Sequence, residues 1–500
     1  MNLKLGVVLL LLTVCPAQQP QQRPAPTDQH SEAAAKPQTK ITDQQAAALF
    51  ASIDDVFQFA SRDTGLPIRH PVKKKLADRD EVERYVTRRM AEDKDTQRFE
   101  RSEVVLKKFG LIPRDFSLRP YLVKLMREQV VGFYDAKTKT VYMLDWLDPE
   151  IQKPVMAHEL THALQDQNFD LEKWASEKQR DQAEHDGDYN KAVSLDEIST
   201  AQTAMIEGQG MITLVDWEMR GYGMSAAKNP DVVRSMASGM EGDDSSQVLK
   251  DAPMMLRESL IFPYRDGLKF IGAVLAQRGK EAAFHDMYER PPTTSHEVMV
   301  PDEYIRNRRV PSVALPDVRA ILPKQYSEYD LGAMGQFDTL LLLKQLTNDT
   351  ANQQALSAKW GGGSYIALTE KGSDPKQTAS IHLLYLSKWQ TPEAAEQFAK
   401  LYGRALRDKY SQLKSETCSG CEAHEAAWST EEGPVHIVRR DANVAILEGF
   451  PDDEAHKLVD AAFGPNPGGI IARNDLTLRA VPAWMRALIV SRLAISATRH

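Results

Sequence analysis

The segment HELTH, residues 158–162, most constrains what this chain can fold into. Residues four apart on an α-helix point in the same direction, about one turn apart. His158 and His162 can therefore direct a ring nitrogen each at a single ion about 2.0–2.1 Å away. Glu159 is rotated by about 100° from His158, which places it beside the open position of the metal. The segment predicts two metal ligands and a general base on one helix.

The residues around this segment predict a buried helix rather than a solvated one. A buried helix that carries a metal site needs uncharged residues around the ligands, because an unpaired charge there would be costly. Six residues within or beside the segment meet this need: Val155, Met156, Ala157, Leu160, Ala163 and Leu164. With 12 histidines in 500 residues, a chance HExxH is expected in only about 2% of chains of this composition. Chance occurrence on an amphipathic helix is the alternative. Asp148 and Pro149 supply a helix start signal just upstream.

A catalytic zinc needs a third protein ligand and one open coordination position. The residues after His162 lack the glycine and third histidine of the HExxHxxGxxH arrangement. The best candidate is Glu207 in AMIEGQG, a glutamate on an otherwise apolar helix face. Gly208 and Gly210 beside it predict a close approach of backbone.

Two further acidic residues are weaker candidates for a place in the site. Glu197 is the second choice as third ligand. Asp166 lies one turn past His162 and is either an outer partner of that ligand or a surface residue.

The length predicts two domains, and the helix and strand patterns along the chain predict a fold of the α+β class. A chain of 500 residues exceeds one ordinary core, so we expect a mainly helical domain with a small sheet at 45–325, which contains the HELTH segment. A smaller α+β domain follows at 326–452, and 453–500 is a tail with an amphipathic helix. The net charge of −8, without a basic cluster carrying interleaved aromatics, argues against a nucleic-acid partner.

The N-terminus indicates export to the periplasm or the exterior. Lys4 precedes the short apolar run Leu5–Val14, and small residues follow, so 1–17 has the order of a signal peptide. The run is too short to span a bilayer. Cleavage after Ala17 is favoured over lipidation at Cys15, because Val14 is a poor residue before a lipidated cysteine. A cytosolic protein with a buried N-terminal helix is the remaining alternative.

Residue patterns predict the elements within each part of the chain. In the first part we expect a disordered linker at 18–44, helices within 45–125, a hairpin at 130–144, a charged insertion at 172–191, a helix at 195–219, a mobile loop at 221–250, a helix ending at Gly279 and a proline-punctuated turn at 290–304. After a boundary at 310–330 we expect strands at 360–370 and 380–389, a capped helix at 391–406, and two strands within 434–450.

The sequence TCSGC contains Cys418 and Cys421, the cysteines that remain after processing. A zinc site would need two more ligands, and only His424 lies nearby. A redox-active pair would need a thioredoxin-like pattern around it, which is missing. A disulfide in an oxidising compartment is the favoured interpretation.

The motif region resembles the zinc helix of the gluzincins, the thermolysin-like metallopeptidases, whose third ligand is a glutamate on a following helix. It is also similar to uncharacterised exported bacterial proteins that share four features. These features span roughly 130–400 and lie here at His158–Gln167 (HELTHALQDQ), Glu207–Gly208, Pro291–Ser295 and Trp360–Tyr365.

The resemblance implies that His158, His162 and Glu207 bind zinc and that Glu159 is the general base. Two departures are visible: a longer gap between His162 and Glu207, and Met211 where gluzincins carry an aspartate. The resemblance also implies that one strand of 130–144 pairs with an extended substrate. An ordinary sheet strand is the alternative.

A further hydrogen-bond donor is needed for the oxyanion of the transition state. Tyr264 and His296 rank first because their surroundings carry less charge, ahead of His185 and Tyr189.

Together these features predict an exported zinc metallopeptidase acting on peptides or proteins, with Glu159 activating a zinc-bound water. The competing hypothesis is a zincin-like cell-envelope protein that uses its metal site for binding or assembly. Another zinc hydrolase on the same scaffold is a third interpretation.

Overall fold

The computed structural model describes residues 40–464 with the exception of 93–95, 130–131, 175–176, 241–246 and 417–424. The predicted signal peptide, Cys15, nearly all of the predicted linker, the segment TCSGC with His424, and the chain after 464 lie outside the described residues. Helix α1 begins at Asp43 and is capped by the Thr42 side chain, so ordered structure starts slightly before the predicted end of the linker at 44.

The first part of the chain consists mainly of helices. Its helices are α1 (Asp43–Thr64), α2 (Arg79–Glu92), α3 (Thr96–Phe109), α4 (Leu118–Gln129), α5 (Pro149–Phe169), α6 (Leu171–Trp174), α7 (Glu177–His185), α8 (Tyr189–Met219), α9 (Pro230–Gly239), α10 (Gln247–Lys250), α11 (Met254–Phe284), α12 (Ser295–Met299), α13 (Pro301–Ile305) and α14 (Val318–Ile321). Its strands are β1 (Lys73–Ala77), β2 (Phe133–Asp135) and β3 (Thr140–Leu144).

The second part forms one antiparallel sheet with flanking helices. Its elements are β4 (Tyr326–Ala333), α15 (Gln336–Leu346), α16 (Thr350–Ser357), β5 (Trp360–Glu370), β6 (Ile381–Trp389), α17 (Pro392–Lys409), β7 (Lys414–Glu416), β8 (Glu425–Thr430), β9 (Gly433–Arg440), β10 (Asn443–Glu448) and α18 (Asp452–Phe463). The sheet order is β4-β5-β6-β10-β9-β8-β7. The predicted α+β class, with a helical part followed by a smaller α+β part, is confirmed.

The small sheet of the first part has the order β1-β3-β2. Strands β2 and β3 form the predicted hairpin, with Tyr134 opposite Val141. Strand β1 pairs in parallel with β3 and lies in a segment predicted to be helical. The sequence KKKLA is too short and too polar to show the alternation by which a strand is recognised, so only its pairing with β3 defines it.

Helices α5 and α8 are buried on nearly all sides. Helix α5 begins at Pro149 after the Asp148 cap, as predicted, and is buried continuously from Pro154 to Asp166. It packs between α1 with the small sheet on one side and α8 on the other. Because both helices are enclosed, their apolar residues surround the axis instead of forming one stripe.

Helices α8 and α11 cross with their backbones in contact. A Cβ atom added to Gly208 would clash with the carbonyl oxygen of Gly267, and one added to Gly267 would clash with that of Ala204. The predicted close approach at Gly208 is therefore present. Helix α11 is interrupted at Gly279, whose φ is 83°, where the sequence predicted a helix end.

Three predicted segments differ from the structure. The predicted loop at 221–250 contains α9 and α10, and the predicted turn at 290–304 contains α12 and α13. Pro230 and Pro301 occupy first turns of α9 and α13, where proline is favoured, so these prolines begin helices rather than break them. Helix α18 extends the C-terminal domain past its predicted end at 452, because Leu458 and Val459 pack on the sheet.

The two parts of the chain share one hydrophobic core. Phe262 of α11 stacks on Phe337 of α15 with ring centroids 4.1 Å apart. Phe109 of α3 makes edge contacts with Tyr365 and Tyr385 of the large sheet. Among the described helices, none is long and apolar enough to cross a membrane.

Asp63, where α1 meets α8, should make the free energy of unfolding fall as the pH rises from about 4 to about 7. Burial and the nearby Asp216 carboxylate raise the pKa of Asp63 to about 7, whereas an unfolded aspartate titrates near 3.9. The folded chain therefore retains a proton between these values, so the stabilisation is present below pH 4 and lost towards pH 7. Asp63→Asn should raise stability at pH 8 by roughly 1–3 kcal/mol and flatten this pH dependence. The measurement is the thermal unfolding midpoint from pH 4 to pH 8.

Asp55→Asn, at an exposed position of the same helix, is the control and should leave the pH dependence unchanged. A parallel pH profile for Asp63→Asn and the parent chain would contradict the proton assignment.

Candidate metal centre

Three side chains of α5 and α8 converge on one point. The Oε2 atom of Glu207 lies 3.1 Å from Nε2 of His158 and 3.3 Å from Nε2 of His162. The two Nε2 atoms are 2.9 Å apart. Ligands at about 2.0–2.1 Å from a tetrahedral ion lie about 3.3–3.4 Å from one another. The trio therefore matches a small ion after a slight expansion, and two nitrogens and one carboxylate oxygen are a donor set that suits zinc.

Glycine allows α8 to bring Glu207 this close. A Cβ atom on Gly210 would lie 2.7 Å from the ring of His158, closer than any real side-chain contact allows. Gly208, on the other side, faces α11. Helix α8 thus passes between α5 and α11 with a glycine facing each neighbour, and Glu207 points towards α5.

The three converging side chains are buried, and the charge of each affects the pKa of the others. His158 is 0% and Glu207 1% exposed. Burial, then the neighbouring His162, lowers the pKa of His158. Burial works against a charged His162, but the Glu207 carboxylate outweighs it and raises the pKa of His162 to about 9. Burial alone would raise the pKa of Glu207, yet the charge on His162 lowers it to about 2. A cation in place of the His162 proton fits the same charge balance.

Glu159 lies beside the trio with one carboxylate oxygen available. Its Oε2 accepts a hydrogen bond of 2.8 Å from the backbone N–H of Tyr134 in β2. Its Oε1 is buried and makes no hydrogen bond with any part of the chain that the structure describes. Burial raises the pKa of Glu159 well above its usual value, which makes its carboxylate a stronger proton acceptor.

Tyr264 of α11 is the predicted oxyanion donor that lies at this site. Its ring centroid is 6.0 Å from that of His158. Its hydroxyl is buried without a hydrogen bond to the described residues. Burial raises the pKa of Tyr264 well above its usual value, so the hydroxyl keeps its proton and can donate it in a hydrogen bond.

The structure places His296 and Glu197 together at another junction. The Nδ1 atom of His296 lies 2.5 Å from Oε1 of Gln336. Glu197 accepts a 2.5 Å hydrogen bond from the backbone N–H of Ser295. Ten residues along α8 separate Glu197 from Glu207, about 15 Å, so Glu197 is not a ligand of this trio. Both predictions overlooked that α12 packs against α8 and α15, a contact between distant parts of the sequence.

The remaining candidates also lie elsewhere. Asp166 is bound by the Lys139 ammonium at 2.5 Å and by the Tyr134 hydroxyl at 3.2 Å, both of which belong to the hairpin. The His185 side chain is 84% exposed, and the ring of Tyr189 packs under Arg319.

Gln165 is the residue at this site that the sequence did not reveal. Its Oε1 lies 2.8 Å from Nδ1 of His162, which fixes the proton on Nδ1 and leaves Nε2 free for a cation. Its Nε2 donates to the carbonyl oxygen of Ile206 and to Oε1 of Gln209. Its position three residues after a ligand, among apolar neighbours, is a signal that could have identified it.

We expect Gln165→Met to weaken zinc binding about 10- to 100-fold, the usual cost of losing an outer partner of a ligand. Methionine fills a similar volume but cannot orient the His162 ring. The measurement is zinc affinity by competition with a chromophoric chelator. Gln209→Met perturbs the same network without touching His162 and should bind zinc more tightly than Gln165→Met. Equal losses in the two variants would show that Gln165 has no specific effect on His162.

Comparison with known families adds information about the C-terminal part alone. Residues 324–460 match a family described as a domain of unknown function, DUF8575. No curated protein matches the chain, and no solved structure does. The match includes the large antiparallel sheet and does not include the residues of the metal centre.

Proposed function

We propose that this protein is a zinc-dependent metallopeptidase. The observation that supports this most strongly is the convergence of His158, His162 and Glu207, with the oxygen Oε1 of Glu159 available beside them. The likeness of the motif region to gluzincins points to the same roles for these four residues.

Each side chain has a distinct task in peptide hydrolysis. His158, His162 and Glu207 would hold the ion, and zinc there supplies a Lewis acid that also lowers the pKa of water. Glu159 accepts a proton from the attacking water through Oε1 and delivers it to the leaving amine. The Tyr264 hydroxyl donates a hydrogen bond to the oxygen that becomes negative as the carbonyl carbon is attacked.

We also propose that the protein is exported, with 1–17 as signal peptide and cleavage after Ala17. Lys4, the apolar run after it and the small residues before the cleavage position support this proposal. An exported peptidase of this kind would meet peptides or proteins of the cell envelope or its surroundings.

The burial of the metal centre favours a second candidate function. His158 and Glu159 are 0% exposed, and a peptide can reach them only if neighbouring elements move apart. A protein that uses a zinc-stabilised fold for binding or assembly in the cell envelope needs no such movement. The two candidates share the metal site and differ in turnover.

Metal removal and restoration distinguish these candidates. The purified chain should contain about one zinc at this centre and should cleave a mixed-sequence peptide library, with products identified by mass spectrometry. Dialysis against a chelator should abolish cleavage, and added zinc should restore it. Full zinc content without any cleaved peptide would contradict the peptidase proposal and favour the binding protein. Cleavage that persists in the chelated chain would contradict both.

A further inference from the structure

Two histidines and a glutamate lie close together in the C-terminal domain, under α18. His436 of β9 stands opposite Ala427 of β8, and Glu425 of β8 stands opposite Val438. Alternate residues of a strand share a face, so His436 and Glu425 are on the same side of the sheet. Val438 on that side packs in the core that α18 completes. His456 of α18 meets the sheet at this place.

His436 is buried without satisfying its ring nitrogens. It is 1% exposed, and neither nitrogen makes a hydrogen bond to the residues described. Its Nδ1 is 3.7 Å from Oε1 of Glu425, and its Nε2 is 3.4 Å from Oδ1 of Asp452. A buried polar group without a partner is costly and rare. The Nδ1 atom nevertheless faces the Glu425 carboxylate at a distance that a cation between the two atoms would span, while Nε2, on another edge of the ring, faces Asp452.

His456 approaches the same carboxylate from the other side. Its Nε2 lies 3.1 Å from Oε1 of Glu425, and its ring centroid is 6.2 Å from that of His436. The Glu425 side chain is 1% exposed and the His456 side chain 41%. An ion pair between Glu425 and His456 would still leave both ring nitrogens of the buried His436 without a hydrogen bond to the residues described.

We propose that His436, Glu425 and His456 form a second metal site, which binds a divalent cation of the zinc class. Two imidazole nitrogens and a carboxylate oxygen form the donor set that such ions prefer. The nitrogens of His436 and His456 do not lie within 4.8 Å of each other, so the partly exposed His456 turns its side chain towards His436 when the ion binds. Asp452, in the first turn of α18, lies on the open side of the site.

This site has a structural task rather than a catalytic one. Its ligands come from β8, β9 and α18, so the ion would fasten the last helix of the chain to the large sheet. The residues of the first metal centre play no part in it, and the inference stands whether or not the chain is a peptidase.

The test counts zinc in three full-length variants of one parent. In the parent, Cys418 and Cys421 are replaced by serine so that thiolates do not contribute. His456→Gln and His436→Asn each remove one ligand, and His70→Gln removes an exposed histidine of the first part of the chain. Each protein is titrated with Zn²⁺, and bound metal is measured after gel filtration.

We expect the parent and His70→Gln to bind one more zinc per chain than either ligand variant. The affinity of the second site in the ligand variants should fall by more than about 100-fold, since losing an outer partner alone costs up to that much. Equal zinc content in all four proteins, or loss in only one ligand variant, would overturn the three-residue site.

Hydrogen exchange provides a second readout that does not depend on metal counting. Zinc should slow amide exchange in α18 and β9 of the parent and not in His456→Gln. Because His456 is partly exposed, glutamine should be tolerated there without loss of the fold. Zinc-independent exchange of α18 in the parent would also overturn the proposal.

Discussion

Glu159→Gln is expected to reduce peptide turnover by about 10²- to 10⁴-fold, the usual contribution of a general base, while zinc content stays unchanged. Glutamine has the same shape, and its amide oxygen can still accept the hydrogen bond from the Tyr134 N–H. It cannot take up a proton at Oε1 at neutral pH. Binding of the ion depends on the two histidines and Glu207, so it should not change.

The measurement is the ratio of kcat/KM values for one library peptide, together with zinc content. Glu150→Gln is the matched control because Glu150 lies on the same helix with its side chain 76% exposed. We expect this control to retain full activity. A Glu159→Gln protein as active as the parent would falsify the proposed role of Glu159. A protein without zinc would show that Glu159 is needed to hold the metal centre together.

Gly208→Ala is expected to destabilise the fold by about 3 kcal/mol or more, at the upper end of overpacking costs. The added methyl group meets the backbone carbonyl of Gly267, and a backbone atom at a helix crossing cannot turn aside as a flexible side chain can. Helices α8 and α11 must therefore separate. Because Glu207 is the preceding residue, zinc affinity should fall together with stability.

Thermal unfolding and zinc competition measure the two effects of this substitution. Gly239→Ala is the matched control, since its Cβ atom would meet nothing within 4 Å. That substitution should leave stability unchanged or raise it slightly. If Gly208→Ala unfolds at the same temperature as the parent, the backbones do not touch as described. If stability falls but zinc affinity does not, the crossing supports the fold without positioning Glu207.

Local sequence signals predicted the zinc-motif helix and its neighbours well. The start of α5 follows from Asp148 and Pro149, and the hairpin β2–β3 follows from two apolar runs around a polar turn. Glu207 could be predicted because a charge on an apolar helix face needs a partner and the two histidines lacked one. The residues that predict the helix start and the hairpin lie close together in the sequence. Glu207 was predicted because it supplies the third donor group that the two histidines need.

The errors concern residues whose surroundings are assembled from distant parts of the chain. Strand β1 is defined by pairing with β3, more than sixty residues later. His296 lies in a segment of the sequence that carries little charge, but its partner is Gln336 of α15. The carboxylates near His436 are brought to it only by the assembly of β8, β9 and α18. None of these contacts leaves a periodicity that a single segment could show.

The hydrophobic core shared by the two parts of the chain extends beyond the segment that matches a known family. Residues 324–460 match a family of their own, yet Phe337 of that segment stacks on Phe262 of α11. Lys108 of α3, fully buried, pairs with Glu432 of the same segment at 3.0 Å. An excised fragment would expose the apolar face of α15 and leave Glu432 without Lys108 and Arg114. The segment that the family model matches is therefore smaller than the hydrophobic core to which it contributes.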